Sequence, residues 1–191
     1  MKFMAFACLA LVGLAACGGT QRSFEEMDKD RERIFEELIS KGDTPRARAD
    51  AVFRGGASYT RVSYGSLSGD TRADYEFFNS EVNVDVVLGQ GAPVISGSLT
   101  NFITEDEEAL AGSLSFDGTL VATSNGSGAG NYGLNTDLTG SIESPFDDGL
   151  VAIDATIVGL PFGYDAGWLG GRIRDSAGDV RVNGSWVTER D

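Results

Sequence analysis

The stretch Glu81-Val82-Asn83-Val84-Asp85-Val86-Val87-Leu88 decides the architecture. Val82, Val84, Val86 and Leu88 alternate with Glu81, Asn83, Asp85 and Val87, a period of two. Successive side chains of a strand point to opposite faces, so this segment has one face built for burial and one for water. The alternation recurs downstream. Tyr132, Leu134, Leu138 and Ile142 alternate with Asn135, Asp137 and Ser141, and Val151, Ile153, Ala155 and Ile157 alternate with Asp154 and Thr156. Working outward, eight strands are expected at about 52–64, 74–89, 93–104, 109–120, 131–143, 149–159, 167–175 and 179–188. Asp70, Gly91, Asp117-Gly118, Asn125-Gly126, Asp147-Asp148-Gly149 and Ala177-Gly178 fall in or near the turns. A change of phase between Tyr59 and Val62 predicts a bulge in the first strand.

A weaker repeat lies inside this pattern. Ile95-Ser96-Gly97-Ser98-Leu99 recurs as Leu110-Ala111-Gly112-Ser113-Leu114, Leu138-Thr139-Gly140-Ser141-Ile142 and Val182-Asn183-Gly184-Ser185-Trp186. Leu169 to Ile173 fits it with Gly171 at the centre, and Ile153 to Ile157 with Ala155. A small residue on the apolar face of each strand lets a narrow closed sheet coil around large side chains. The expected fold is therefore all-β: an eight-stranded antiparallel up-and-down barrel, with Gly112→Val predicted to overpack its interior. A membrane-spanning barrel would carry a continuous apolar band outside. Here one face carries Asn83, Asp85, Asn135, Asp137, Asp154, Arg181 and Asn183, so the barrel is read as soluble.

Upstream the period changes to that of a helix, over residues 23–41. Ser23 and Glu26 form a capping box, and Gly42 after Lys41 is a stop signal. Phe24, Met27, Ile34, Phe35, Leu38 and Ile39 fall near one stripe that Arg31 interrupts, and this stripe is expected to pack on the domain. Residues 42–50, with Pro45, form a polar linker.

The first 16 residues read as an export signal: Lys2, then an apolar core from Phe3 to Leu14. That core is shorter than the roughly 20 apolar residues a bilayer span needs. Leu14-Ala15-Ala16-Cys17 is similar to the bacterial lipobox, which implies cleavage before Cys17 and lipidation of its thiol. Stable anchoring takes more than one acyl chain, which such lipidation supplies. Gly18 follows Cys17, which by resemblance to the sorting rule of enteric bacteria implies the outer membrane. The domain plan is then 1–16 signal, 17–50 lipidated tether, helix and linker, and 51–191 barrel. Cys8 leaves with the signal, so the mature chain keeps no free thiol and no disulfide.

The formal net charge is −14, which repels phosphate backbones and excludes nucleic acid as a partner. There is no histidine, which removes the commonest general base and zinc ligand. Gly126-Ser127-Gly128-Ala129-Gly130 precedes a strand and lacks the lysine of a phosphate loop. Glu105-Asp106-Glu107-Glu108 lacks the framework of a calcium loop and reads as a solvated acidic turn. Trp168 and Trp186 read as core or rim anchors. No catalytic residue, cofactor site or metal site is expected, and the chain is read as a monomer that is not an enzyme.

A lipobox, an N-terminal handle and eight strands with recurring apolar-x-Gly-x-apolar centres together resemble the barrel domain of the transferrin-binding protein B family of surface lipoproteins. The likeness covers about residues 50–191. The family's late Gly-Phe-(Phe/Tyr)-Gly signature has only a loose echo in Gly159-Leu160-Pro161-Phe162-Gly163-Tyr164 and Gly170-Gly171. The resemblance implies the fold and the tether, and not transferrin or iron binding. The expected function is a lipid-anchored binder of a protein or solute partner. Two other readings stay open: a lipocalin-like carrier of a small apolar ligand, and a structural envelope lipoprotein.

Overall fold

The computed structural model describes residues 22–40, 51–67, 70–87, 93–124, 130–143, 149–162, 167–174 and 180–191. Helix α1 (Phe24–Ile39) precedes the strands β1 (Ala51–Leu67), β2 (Asp70–Val87), β3 (Val94–Thr104), β4 (Ala109–Leu110), β5 (Gly112–Thr119), β6 (Val121–Ser124), β7 (Gly130–Glu143), β8 (Leu150–Phe162), β9 (Trp168–Arg174) and β10 (Val180–Arg190). β4, β5 and β6 follow one another with single-residue breaks at Ala111 and Leu120 and act as one stave. Each of the eight staves pairs antiparallel with its neighbours in sequence, and β10 returns to β1 from Phe53↔Arg190 to Ser63↔Val180. The result is a closed up-and-down barrel, as the period-two pattern predicts.

Strand faces follow the alternation. Val82, Val84 and Val86 are buried inside, while Asp85 and Val87 stand outside and Glu81 and Asn83 are half-buried there. The core gathers Ile95, Leu99, Leu114, Leu138 and Ile157 around two aromatic contacts. Phe78 meets Phe102 edge-on at 6.1 Å, and Phe116 lies tilted against Trp186 at 6.4 Å. Trp186 is 1% exposed, and its indole Nε1–H donates to the Val158 carbonyl at 3.0 Å. A buried indole N–H needs such a partner.

Three expectations are corrected. β1 keeps one register against both β2 and β10, so no bulge lies between Tyr59 and Val62. The irregularity sits instead where β2 meets β3, between Asn79 and Glu81. There β3 carries an extra residue near Asn101, whose φ of 55° is a left-handed conformation that Asn tolerates. Asp117-Gly118, expected at a turn, lies within β5, and its stave runs on through β6. The third concerns the small residues. Gly97 does make interior room: a Cβ there would lie 2.4 Å from the Phe116 ring. Gly112 does something else. Its φ is +130°, and a Cβ would meet the Ser141 carbonyl oxygen of the neighbouring strand at 2.2 Å. Close backbone approach, not interior crowding, requires glycine at this position.

Helix α1 begins as its capping box predicts. Ser23 Oγ accepts from the Glu26 N–H, and the Glu26 carboxylate accepts from the Ser23 N–H. The helix crosses the outside of the barrel over β2, β1 and β10, reaching β9. Met27, Ile34 and Leu38 are buried, and Ile34 and Leu38 pack on Val187 with Trp168 beside them. Phe35 and Ile39, expected on the same stripe, are 43% and 64% exposed. The docked stripe runs through Met27, Arg31, Ile34 and Leu38, with the Arg31 Cβ 3.6 Å from where a Cβ on Gly56 would lie. The expected stop at Gly42 and the linker 42–50 lie outside the described residues.

Candidate functional site

Cys17 and the rest of the export segment also lie outside the described residues. Among those described, two spaces and one acidic turn can be weighed as sites.

The first space is inside the barrel. The gap bounded by Phe78, Leu110, Ile142, Val151, Ile153 and Val182 has a volume of about 10 Å³. That is at the lower limit for one water molecule, and far below the roughly 300 Å³ at which small-molecule pockets begin. Toward the opposite end of the barrel, Phe116 and Trp186 set against Gly97 and Gly159 fill the interior. A Cβ at Gly159 would lie 2.4 Å from Trp186 Cζ2, so the glycine is what admits the indole.

The second space is a cleft of about 330 Å³ between α1 and the outer barrel wall. Arg22 and Asp30 line it from the helix side, and Arg54, Asn83, Glu189 and Asp191 from the strands. Its charges largely satisfy one another. Arg22 pairs with Asp30 at 3.1 Å and Arg54 Nε donates to Asp191 at 2.8 Å. At its edge Arg33 bridges helix and barrel, donating from both terminal nitrogens to Glu189 at 3.1 and 2.5 Å. Glu189 and Asp30 together raise the guanidinium pKa further, so the bridge stays charged. On the exposed face, Lys29 holds the Glu25 carboxyl below its usual range through an i,i+4 hydrogen bond.

The acidic turn 105–108 has a structural task. Glu107 takes φ 62°, and its carboxylate accepts from the Phe24 N–H at the start of α1 at 3.1 Å. Asn79 Nδ2 donates to the Phe24 carbonyl at 3.2 Å, so the first helical residue is held from both sides. A carboxylate at a helix N-terminus meets free N–H groups and the positive end of the dipole. The sequence marks these acids but not their target, which is 83 positions away. No group of three or more acidic, histidine or cysteine side chains suited to a metal occurs among the described residues. Trp186 lies in the core and Trp168 against the helix.

No helix among the described residues is long and apolar enough to cross a membrane. No family of known proteins, no curated protein and no solved structure matches the chain.

Proposed function

We propose that this chain is an exported, outer-membrane lipoprotein, held by acyl chains on Cys17, whose non-catalytic barrel binds a protein or solute partner on its outer surface. The resemblance to transferrin-binding protein B barrels belongs to this proposal, without their iron-linked ligand. The observation that carries it is the packed interior around Trp186 and Phe116, downstream of the lipobox Leu14-Ala15-Ala16-Cys17. A barrel filled by its own side chains offers partners its loops and outer wall. The docked helix adds to that wall the mixed-charge cleft beside Arg54. A lipocalin-like carrier would need an interior of several hundred cubic ångströms, whereas the gap beside Phe78, Leu110 and Ile142 holds about 10 Å³.

The test is Cys17→Ser expressed in the native host with a fatty-acid label. The wild-type protein should take up the label and stay with alkali-washed membranes, and the variant should lose both. A variant that remains in washed membranes refutes the anchor. Protease shaving of intact cells then separates surface display from the periplasmic face, because only a displayed barrel is cut.

A further inference from the structure

Two basic side chains stand apart from the rest. Arg22, Lys29, Arg31, Arg33 and Arg54 each hold a carboxylate. Among the described residues neither Arg172 nor Arg174 does, although the chain has 29 acidic residues against 15 basic ones. Both are exposed on the outer face of β9, alternating with the buried Ile173. Their cross-strand neighbours carry no charge: Val158 and Ser185 flank Arg172, and Thr156 and Asn183 flank Arg174. Alternate positions of a strand are ~7 Å apart, so the pair forms a short basic track in a neutral frame.

The helix closes one side of this track. α1 crosses the barrel along the row Gly56–Val187–Gly170, with Arg31 at Gly56, Ile34 on Val187 and Leu38 at Gly170. The row on one flank holds Glu189, which Arg33 binds. The row on the other flank holds Ser185 and Arg172. Phe35 lies two residues beyond Arg33, ~200° around the helix, and Ile39 lies one turn on from Phe35. They therefore line the edge that overhangs Arg172, at 43% and 64% exposure. The result is a corner with an apolar upper wall and an arginine floor.

We propose that this corner seats an extended acidic segment of a partner protein. Carboxylates at alternate positions of such a segment have the same ~7 Å spacing as the two arginines. A guanidinium fork matches each carboxylate with two parallel donors. An apolar side chain on the helix side of the same segment covers Phe35 and Ile39. A concave corner under a helix admits a single chain, whereas the plane of a bilayer cannot enter it. This partner class rests on the outer-wall reading above, and its seat lies apart from the cleft beside Arg54.

The test uses the full mature lipidated chain in phosphatidylcholine nanodiscs and two capped peptides, Leu-Asp-Ser-Asp-Ser and Leu-Ser-Asp-Asp-Ser. The first should shift the Arg172 and Arg174 Nε–H signals in NMR spectra. It should also bind more tightly than the second, whose carboxylates point to opposite sides when extended. Arg172→Gln and Arg174→Gln should each weaken the first peptide about two- to five-fold. Ile39→Ser should weaken it as well, whereas Lys29→Gln removes a charge elsewhere and should not. All four positions are exposed, so the substitutions spare the core. Equal affinity of the two peptides, or arginine variants that bind as the wild type does, overturns the proposal. So does shielding of the two signals by phosphatidylglycerol vesicles alone, or a dimer that Arg172→Gln splits, since the occupant is then a lipid or a second copy. Shifts confined to the cleft around Arg54 overturn the corner and leave the outer-wall reading standing. The fatty-acid label on Cys17 is read separately from all of these.

Discussion

Gly112 shows how one carbon atom decides a site. Its missing Cβ would fall 2.2 Å from the Ser141 carbonyl, and its φ suits no L side chain. Gly112→Ala should therefore cost about as much as Gly112→Val, on the order of 1–3 kcal/mol each by urea unfolding. A mild Ala and a severe Val would point back to interior crowding. Gly159→Ala should behave differently: it drives the Trp186 ring away and strains its bond to Val158. A loss of roughly 1–3 kcal/mol, with a changed indole emission spectrum, is expected there. The sequence repeat placed Gly97 and Gly112 at the centres of apolar strand segments, and Gly159 lies outside it. It could not say which neighbour, ring or backbone, each one makes room for, because that depends on the strand across the sheet.

At the scale of elements, α1 is tied to the barrel by a narrow stripe and by charged contacts at its edges. Leu38→Ala removes a side chain that is 5% exposed, a change that costs about 2–5 kcal/mol in a core. Here the loss should fall on docking. Amide exchange in α1 should accelerate while β3, β5 and β7 stay protected. Glu107→Gln keeps the shape of the turn and removes its charge, weakening the hold on Phe24 by about 0.3–1 kcal/mol. Exchange at the first turn of α1, measured by the same method, checks it. The capping box and the helix were legible because both are local in sequence. The docked face was less so. Arg31 lies in the stripe and Phe35 outside it, and only the position of Gly56 and Val187 beneath the helix decides between them.

At the scale of the whole molecule, all eight staves were legible from the period-two pattern, most to within a few residues. That the first and last strands pair follows from a closed barrel, but their register was not legible. Nothing local in Phe53 to Ser63 fixes its alignment with Val180 to Arg190, because that contact is set by shear and strand number around the circle. The ion-paired cleft was hidden for the same reason, since Arg33 and Glu189 stand 156 positions apart. The formal net charge of −14 means that carboxylates repel one another at low ionic strength. Raising salt from about 10 mM to about 150 mM shortens the Debye length from ~30 Å to ~8 Å and should raise the melting temperature. A melting temperature that falls with salt would mean that surface ion pairs such as Arg33–Glu189 outweigh the repulsion.

The seam between β1 and β10 has a consequence for how the ring closes. Both β9 and β1 depend on β10 for their second partner. Without it the sheet is an open ribbon with two unsatisfied edges, and such edges do not make a stable closed core. One strand thus latches the whole circle. Deleting residues 180–191 should leave a chain with no cooperative unfolding transition, recovered as a protease-sensitive species.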